Sequence, residues 1–131
     1  MKLSKIKIIK AKILPNKKGD LLKYINKNNK YLEKFGEVYF TEIKKNKIKG
    51  WNFHKKCHCL LAVPFGKVRF IFAEKIDEKK RIITISKKNY SVIFVPPGIW
   101  FSFTSLTKIS LIANTINEIH NKKETLKIPI N

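Results

Sequence analysis

What most restricts this chain is a succession of short β-type segments separated by turn signals, with no persuasive helical period along it. Lys2 to Ile13 sets Leu3, Ile6, Ile8 and Ile13 among lysines, the period of a half-buried strand, and stops at Pro15. Asn16-Lys17-Lys18-Gly19-Asp20 reads as a turn and Leu21 to Ile25 as a short second strand. Glu37 to Ile43 is dense in β-formers, and Ile48 to Val63 supplies one or two further strands. Lys67 to Glu74 alternates Val68, Phe70 and Phe72 with Lys67, Arg69 and Ile71. Arg81 to Ser86, Ser91 to Val95, Ile99 to Phe103 and Lys108 to Thr115 complete the series, with Pro96-Pro97-Gly98 as a rigid turn. About eight to ten strands at spacings of about 8 to 12 residues predict an all-β sandwich or barrel. Its mouth is the natural ligand site. Asn26 to Phe35 is the one weak helix candidate, and the tail Asn121 to Asn131 is polar and expected to be loosely held.

A chain of 131 residues with 44% hydrophobic side chains is expected to form a single domain, 1–131, with residues 119–131 as a polar C-terminal tail. The formal charge of +20 would ordinarily point to a polyanion such as nucleic acid. Here nearly all the basic residues are Lys, only Arg69 and Arg81 being Arg, and they are spread along the chain beside turns instead of forming a stripe. A solvated surface is the simpler reading, with a small phosphorylated ligand next and nucleic acid last. No segment reaches the roughly 18 to 20 uncharged apolar residues of a membrane helix, so a cytoplasmic protein without a membrane partner is expected. Cys57 and Cys59 stand too close for a disulfide between them.

Four motifs, in order, carry a resemblance: Gly36-Glu37-Val38-Tyr39-Phe40, Ile48-Lys49-Gly50-Trp51-Asn52-Phe53-His54-Lys55-Lys56, Pro64-Phe65-Gly66-Lys67-Val68 and Val95-Pro96-Pro97-Gly98-Ile99-Trp100. Over about residues 16 to 118 the chain resembles the dTDP-4-dehydrorhamnose 3,5-epimerase family, and it is similar to the sugar-nucleotide 3,4-ketoisomerases. The resemblance implies a cupin, that is, a double-stranded β-helix jelly-roll barrel. It also implies a homodimer with an exchanged N-terminal strand, a nucleotide-sugar ligand, no cofactor, and isomerase or epimerase activity on a dTDP-4-keto-6-deoxysugar in deoxysugar or surface-polysaccharide biosynthesis.

Residue by residue, the resemblance also removes the usual machinery. The family's Arg-Gly-Leu-His pattern falls on Lys49-Gly50-Trp51-Asn52, so an amide stands where the catalytic histidine belongs, and Lys49 replaces the diphosphate-binding Arg without its bidentate fork. The upstream Asp-X-Arg-Gly pattern falls on Asn16-Lys17-Lys18-Gly19, which makes Lys18 a second candidate for the nucleotide. The family's active-site Tyr falls near Ala113 and its Lys near Cys59, and no replacement is found for the Asp that orients the histidine. His54, matching the second histidine of the ketoisomerase motif, is the remaining candidate base, histidine being the side chain suited to proton transfer near neutrality. In an extended strand it shares a face with Asn52. The bland alternative for His54 is a structural histidine in a polar cavity.

Trp51, Trp100, Phe101 and Phe103 could wall a pocket where a base or sugar stacks, or could simply fill the core. His54, Cys57, His58 and Cys59 tempt as metal ligands, yet on one strand His54 and His58 would be about 13 Å apart, with both cysteines on the opposite face. The metal-binding cupin pattern falls on Asn52, His54, Cys59 and Phe101, of which only His54 is intact, so no metal is expected. Three readings remain: an epimerase or isomerase using His54 with Lys49 and Lys18, a non-catalytic cupin that binds a sugar or sugar nucleotide, and a basic nucleic-acid-binding barrel.

Overall fold

The computed structural model describes residues 2–130; Met1 and Asn131, the last residue of the expected C-terminal tail, lie outside the described residues. The strands are β1 (Lys7–Lys10), β2 (Ile13–Leu14), β3 (Leu21–Leu22), β4 (Glu37–Lys44), β5 (Ile48–His54), β6 (Cys59–Phe65), β7 (Lys67–Ala73), β8 (Lys80–Ser86), β9 (Ser91–Val95), β10 (Trp100–Ser105), β11 (Ile109–Ile116) and β12 (Thr125–Lys127). They form two five-stranded antiparallel sheets, in the orders β1-β9-β6-β11-β4 and β12-β5-β10-β7-β8, with β2 and β3 as a separate hairpin. This is the expected jelly roll, built as two facing sheets.

Alternation decides what each strand buries. In β7, Val68, Phe70 and Phe72 point between the sheets and are fully buried, where they meet Leu61, Val63, Ile93, Val95 and Ile112 of the first sheet. β6 and β9 are buried on both faces, which explains why Cys59 to Val63 and Ser91 to Val95 read as near-continuous apolar runs. Their outer residues Leu60, Ala62, Val92 and Phe94 are covered by Ile9, Tyr24, Tyr31 and Leu32.

Three segments depart from the sequence expectation. The N-terminal strand begins only at Lys7, because Lys2–Lys5 forms a 3-10 turn held by the Arg81 guanidinium, whose Nη1 donates to the carbonyls of Leu3 and Ile6 at 3.0 Å each. Asn26 to Phe35 makes no helix. There Asn26 Oδ1 accepts from the Asn28 N–H at 2.8 Å, and Asn29 Oδ1 accepts from those of Tyr31 and Leu32 at 2.9 and 3.1 Å, so side chains satisfy donors that a helix would have used. The tail is not loose: β12 pairs with β5, and Trp51 and Ile128 exchange backbone hydrogen bonds in both directions.

β5 carries a bulge that matters for the site. Asn52 pairs with Phe101, but Phe103 pairs with Lys49, so β5 has one residue more than its neighbour. Strict alternation would put Lys49 and Asn52 on opposite faces; the extra residue brings both onto the inner one. Gly50 makes this possible, with φ at +124° and a position where an added Cβ would lie 2.8 Å from Phe101 O and from Ser102 Cα. Gly50→Ala is therefore expected to cost about 1–3 kcal/mol or more in chemical denaturation. An unchanged unfolding midpoint would refute this account of the bulge.

Candidate active site

A cavity of about 790 Å³ opens between the two sheets, walled on one side by β4 and on the other by β5 and β12. β4 phases cleanly: Glu37, Tyr39 and Thr41 face the cavity while Val38 and Phe40 face solvent. β5 contributes Lys49, Asn52 and His54, and β12 contributes Thr125 and Lys127. Phe101, Phe103, Leu61 and Ile112 make the apolar part of the lining. The chain beyond β12, through Pro129, closes one side.

The most ordered chemistry surrounds His54, which is 6% exposed. Its Nδ1 lies 3.0 Å from Glu124 Oε2 and 3.1 Å from Thr125 Oγ1. Glu124 is fixed in turn, since its Oε1 accepts the backbone N–H groups of Lys56 at 2.7 Å and Cys57 at 2.9 Å, and Thr125 Oγ1 donates to its Oε2 at 3.0 Å. Burial alone would raise the pKa of this carboxyl, but the two backbone donors and His54 outweigh it and hold Glu124 down at about 2. A carboxylate at that place accepts the Nδ1 proton and leaves Nε2 with its lone pair. Among the described residues no protein group bonds Nε2, and His54 lines the cavity.

Across the cavity, Tyr39 Oη accepts a hydrogen bond from Asn114 Nδ2 at 3.0 Å, its strand partner on β11. Burial raises the Tyr39 phenol above its ordinary range, so it stays protonated with its own hydrogen free for a ligand oxygen. His120 stands at the rim, edge-on to the Tyr39 ring with centroids 6.3 Å apart, and its backbone N–H donates to Glu37 Oε1 at 2.9 Å. Lys49 Nζ donates to the Glu42 carbonyl at 2.8 Å, and Lys127 lies opposite Asn52 in the β5–β12 ladder. Two cations thus reach the cavity from neighbouring strands.

Of the sequence candidates, Lys49, Asn52 and His54 come together here. Lys18 does not: it sits in the β2–β3 turn, its N–H bonded to Asn16 Oδ1, away from the cavity lining. Trp51 and Trp100 are also corrected as pocket walls, because they alternate with the inward residues and lie on the opposite face of their sheet. Trp100 packs on Phe53 at 4.9 Å there, and Lys80 Nζ lies 6.0 Å from the Trp51 ring centroid. Ala113 and Cys59 offer no Tyr or Lys, but Asn114 and Tyr39 beside them do line the site. The missing orienting acid has a substitute in Glu124, which sequence reasoning passed over because it sits in a polar tail far from His54 along the chain. His120 and Lys127, beside and within that tail, give no local signal either.

The sequence matches the family described as FdtA: WxcM-like, C-terminal, over residues 4–127. Among curated proteins none matches the chain. Solved structures do resemble it. A dTDP sugar isomerase from Desulfovibrio desulfuricans G20 superposes with a TM-score of 0.88 at 23% identity, covering 95% of this chain and 83% of that one. QdtA, a sugar 3,4-ketoisomerase from Thermoanaerobacterium thermosaccharolyticum in complex with TDP, gives 0.76 at 21%, covering 92% and 86%. RmlC from Legionella pneumophila Philadelphia 1, a dTDP-6-deoxy-D-glucose-3,5-epimerase in complex with dTDP-4-keto-L-rhamnose, gives 0.77 at 16%, covering 94% and 77%. At these identities the likeness establishes the fold.

Proposed function

The chain belongs to the FdtA family (WxcM-like, C-terminal), and from that premise and its cavity we propose that it is an isomerase of a nucleotide-linked 4-keto-6-deoxysugar, with His54 as the base. The observation that carries the proposal is the His54–Glu124 pair, which leaves a lone pair at Nε2 on the cavity wall. A ketone at C4 acidifies the neighbouring C3–H. His54 Nε2 takes that proton, and the enediolate that forms is stabilised by the Tyr39 hydroxyl. Return of the proton to C4, with the hydroxyl proton relayed from O3 to O4 through Tyr39, gives the 3-keto sugar. Both carbons are adjacent, so one base on one face suffices. A 3,5-epimerisation instead delivers protons to the opposite face at two carbons, and with Asn52 in place of the family histidine little of it is expected.

Lys49 and Lys127 are assigned to the diphosphate, and the apolar lining to the sugar and base. Two free buried thiols, Cys57 and Cys59, suit a reducing compartment such as the cytoplasm. The competing reading is a non-catalytic sugar-nucleotide binder, favoured by Asn52. Incorporation of solvent deuterium into a dTDP-4-keto-6-deoxysugar separates the two, because a binder leaves the carbon-bound hydrogen in place. If neither exchange nor dTDP binding in calorimetry is found, the assignment fails. Replacing Lys49 and Lys127 together by Ala is expected to weaken dTDP about tenfold or more, as two charge-assisted contacts are lost. Unchanged affinity would remove both lysines from the site.

The homodimer is also a proposal. The outer face of the second sheet sets Leu126, Phe53 and Trp100 in one row, with Trp51, Ile71 and Ile82 beside it; Ile82 is 60% exposed and Leu126 41%. The first sheet covers its outer face with the chain's own Tyr24, Tyr31 and Leu32, whereas Ile82 and Leu126 remain exposed on this one. Lys67, Arg69 and Lys80 share this face, but the row itself is apolar, and it is where a second copy could bury apolar surface. Light scattering is expected to give a dimer at micromolar concentration, and a monomer there would count against it.

A further inference from the structure

Behind the candidate base the His54–Glu124 pair is joined by a third donor that isomerisation does not use, the Cys57 thiol. His54 Nδ1, Cys57 Sγ and a Glu124 carboxylate oxygen all lie within 4.8 Å of one another. Spacing along a strand put His54 and Cys57 on opposite faces, but β5 ends at His54, and the bend through Lys55 and Lys56 turns Cys57 back toward it. The Cys57 N–H is anchored on Glu124 Oε1 at 2.9 Å, so β5, the bend and the residue preceding β12 build the cluster together. Cys57 is 1% exposed and His54 6%, which shields the donors from competing water.

An imidazole nitrogen, a thiolate sulfur and a carboxylate oxygen make a set for zinc, not for magnesium or calcium, which take oxygen ligands. We propose that His54, Cys57 and Glu124 form a zinc-responsive inhibitory site, in which the ion silences the base by taking its Nδ1. The inhibitory consequence rests on the reading of His54 as the base; the binding site does not.

The protons balance as follows. The metal-free pair holds one proton on His54 Nδ1 and one on the Cys57 thiol, which burial and the neighbouring Glu124 push up to about 12. Zinc forms bonds to Nδ1, Sγ and a Glu124 oxygen. The thiol proton leaves to solvent, and the imidazole proton moves from Nδ1 to Nε2. Nothing is oxidised or reduced. Nε2 then presents an N–H to the cavity and can no longer accept a proton from carbon. Without the ion, Glu124 already holds His54, Thr125 and two backbone donors, so the ion competes with existing hydrogen bonds and binds reversibly.

Cobalt serves as the spectroscopic probe. Titrating the full chain with Co²⁺ is expected to develop a sulfur-to-cobalt charge-transfer band that saturates at one equivalent and is displaced by Zn²⁺. Cys57→Ser and Cys57→Ala should both lose the band, while Cys59→Ser keeps it. In deuterium exchange, Zn²⁺ should inhibit the wild type reversibly, with EDTA restoring activity. The Cys57 variants, whose thiol does not line the cavity, should keep their zinc-free rate and be more than about tenfold less sensitive. Absence of the band, or its persistence in both Cys57 variants, overturns the site. Equal zinc inhibition in wild type and Cys57 variants overturns the inhibitory role. The cobalt band needs no substrate, so a failure of the isomerase assignment leaves the site's own test standing.

Discussion

Replacing His54 by Asn is expected to lower solvent-deuterium incorporation beside the ketone of a dTDP-4-keto-6-deoxysugar by about 10²- to 10⁴-fold, the contribution of a positioned general base. An amide is too weakly basic to take a proton from carbon. The affinity for dTDP should change little, because Lys49 and Lys127 reach the cavity from other positions. Stability should fall, since a nearly buried side chain loses a hydrogen bond to a charged partner, worth about 1.5–3 kcal/mol. The Glu124 contact thus gives His54 a structural part beside its part in exchange. Exchange at the wild-type rate in the variant would eliminate His54 as the base. Asn52→His is the complementary experiment, and a gain in exchange would show that the cavity accepts a keto sugar.

Glu124→Gln should be as damaging, for two separable reasons. The amide places a donor among donors, facing the N–H groups of Lys56, Cys57 and His54 Nδ1, so the ring loses what fixes its tautomer. Where an amide replaces the carboxylate behind a catalytic histidine, the rate falls by up to about 10⁴-fold. The second effect is on stability and follows from the sign of the shift. The folded-state pKa of Glu124 is depressed to about 2 from 4.5. Its contribution is therefore complete above the unfolded value and is lost as pH falls from about 4.5 toward 2, reaching about 3 kcal/mol in full and about 2 kcal/mol by pH 3. Urea unfolding followed from about pH 5 to pH 3 should show the wild type losing that much more stability than Glu124→Gln. Parallel curves for the two proteins would mean that Glu124 is not held as a buried carboxylate.

What the sequence determined by itself is the strand content and the shape it must take. Alternation in Lys67 to Glu74, the unbroken apolar runs at Cys59 to Val63 and Ser91 to Val95, and turns at Gly66 and Pro96-Pro97-Gly98 are local signals, and the strands at β6, β7 and β9 follow them. Motif order was equally legible, and it placed Lys49, Asn52 and His54 on the strand where they are found. Phase across a bulge was not. That Lys49 shares the inner face with Asn52 depends on Gly50 accepting a conformation that adds a residue to β5 opposite Phe101 and Phe103, a contact between strands far apart in sequence. Nor could composition show that a polar tail returns as β12. Three backbone pairings to β5 hold it there, and they bring Glu124 to His54 and Lys127 to the cavity across about 70 residues of chain. Short tail strands carry little apolar pattern because one neighbour stabilises them through backbone hydrogen bonds. Their position, and with it the acid that orients the base, is decided only when the two sheets close on each other.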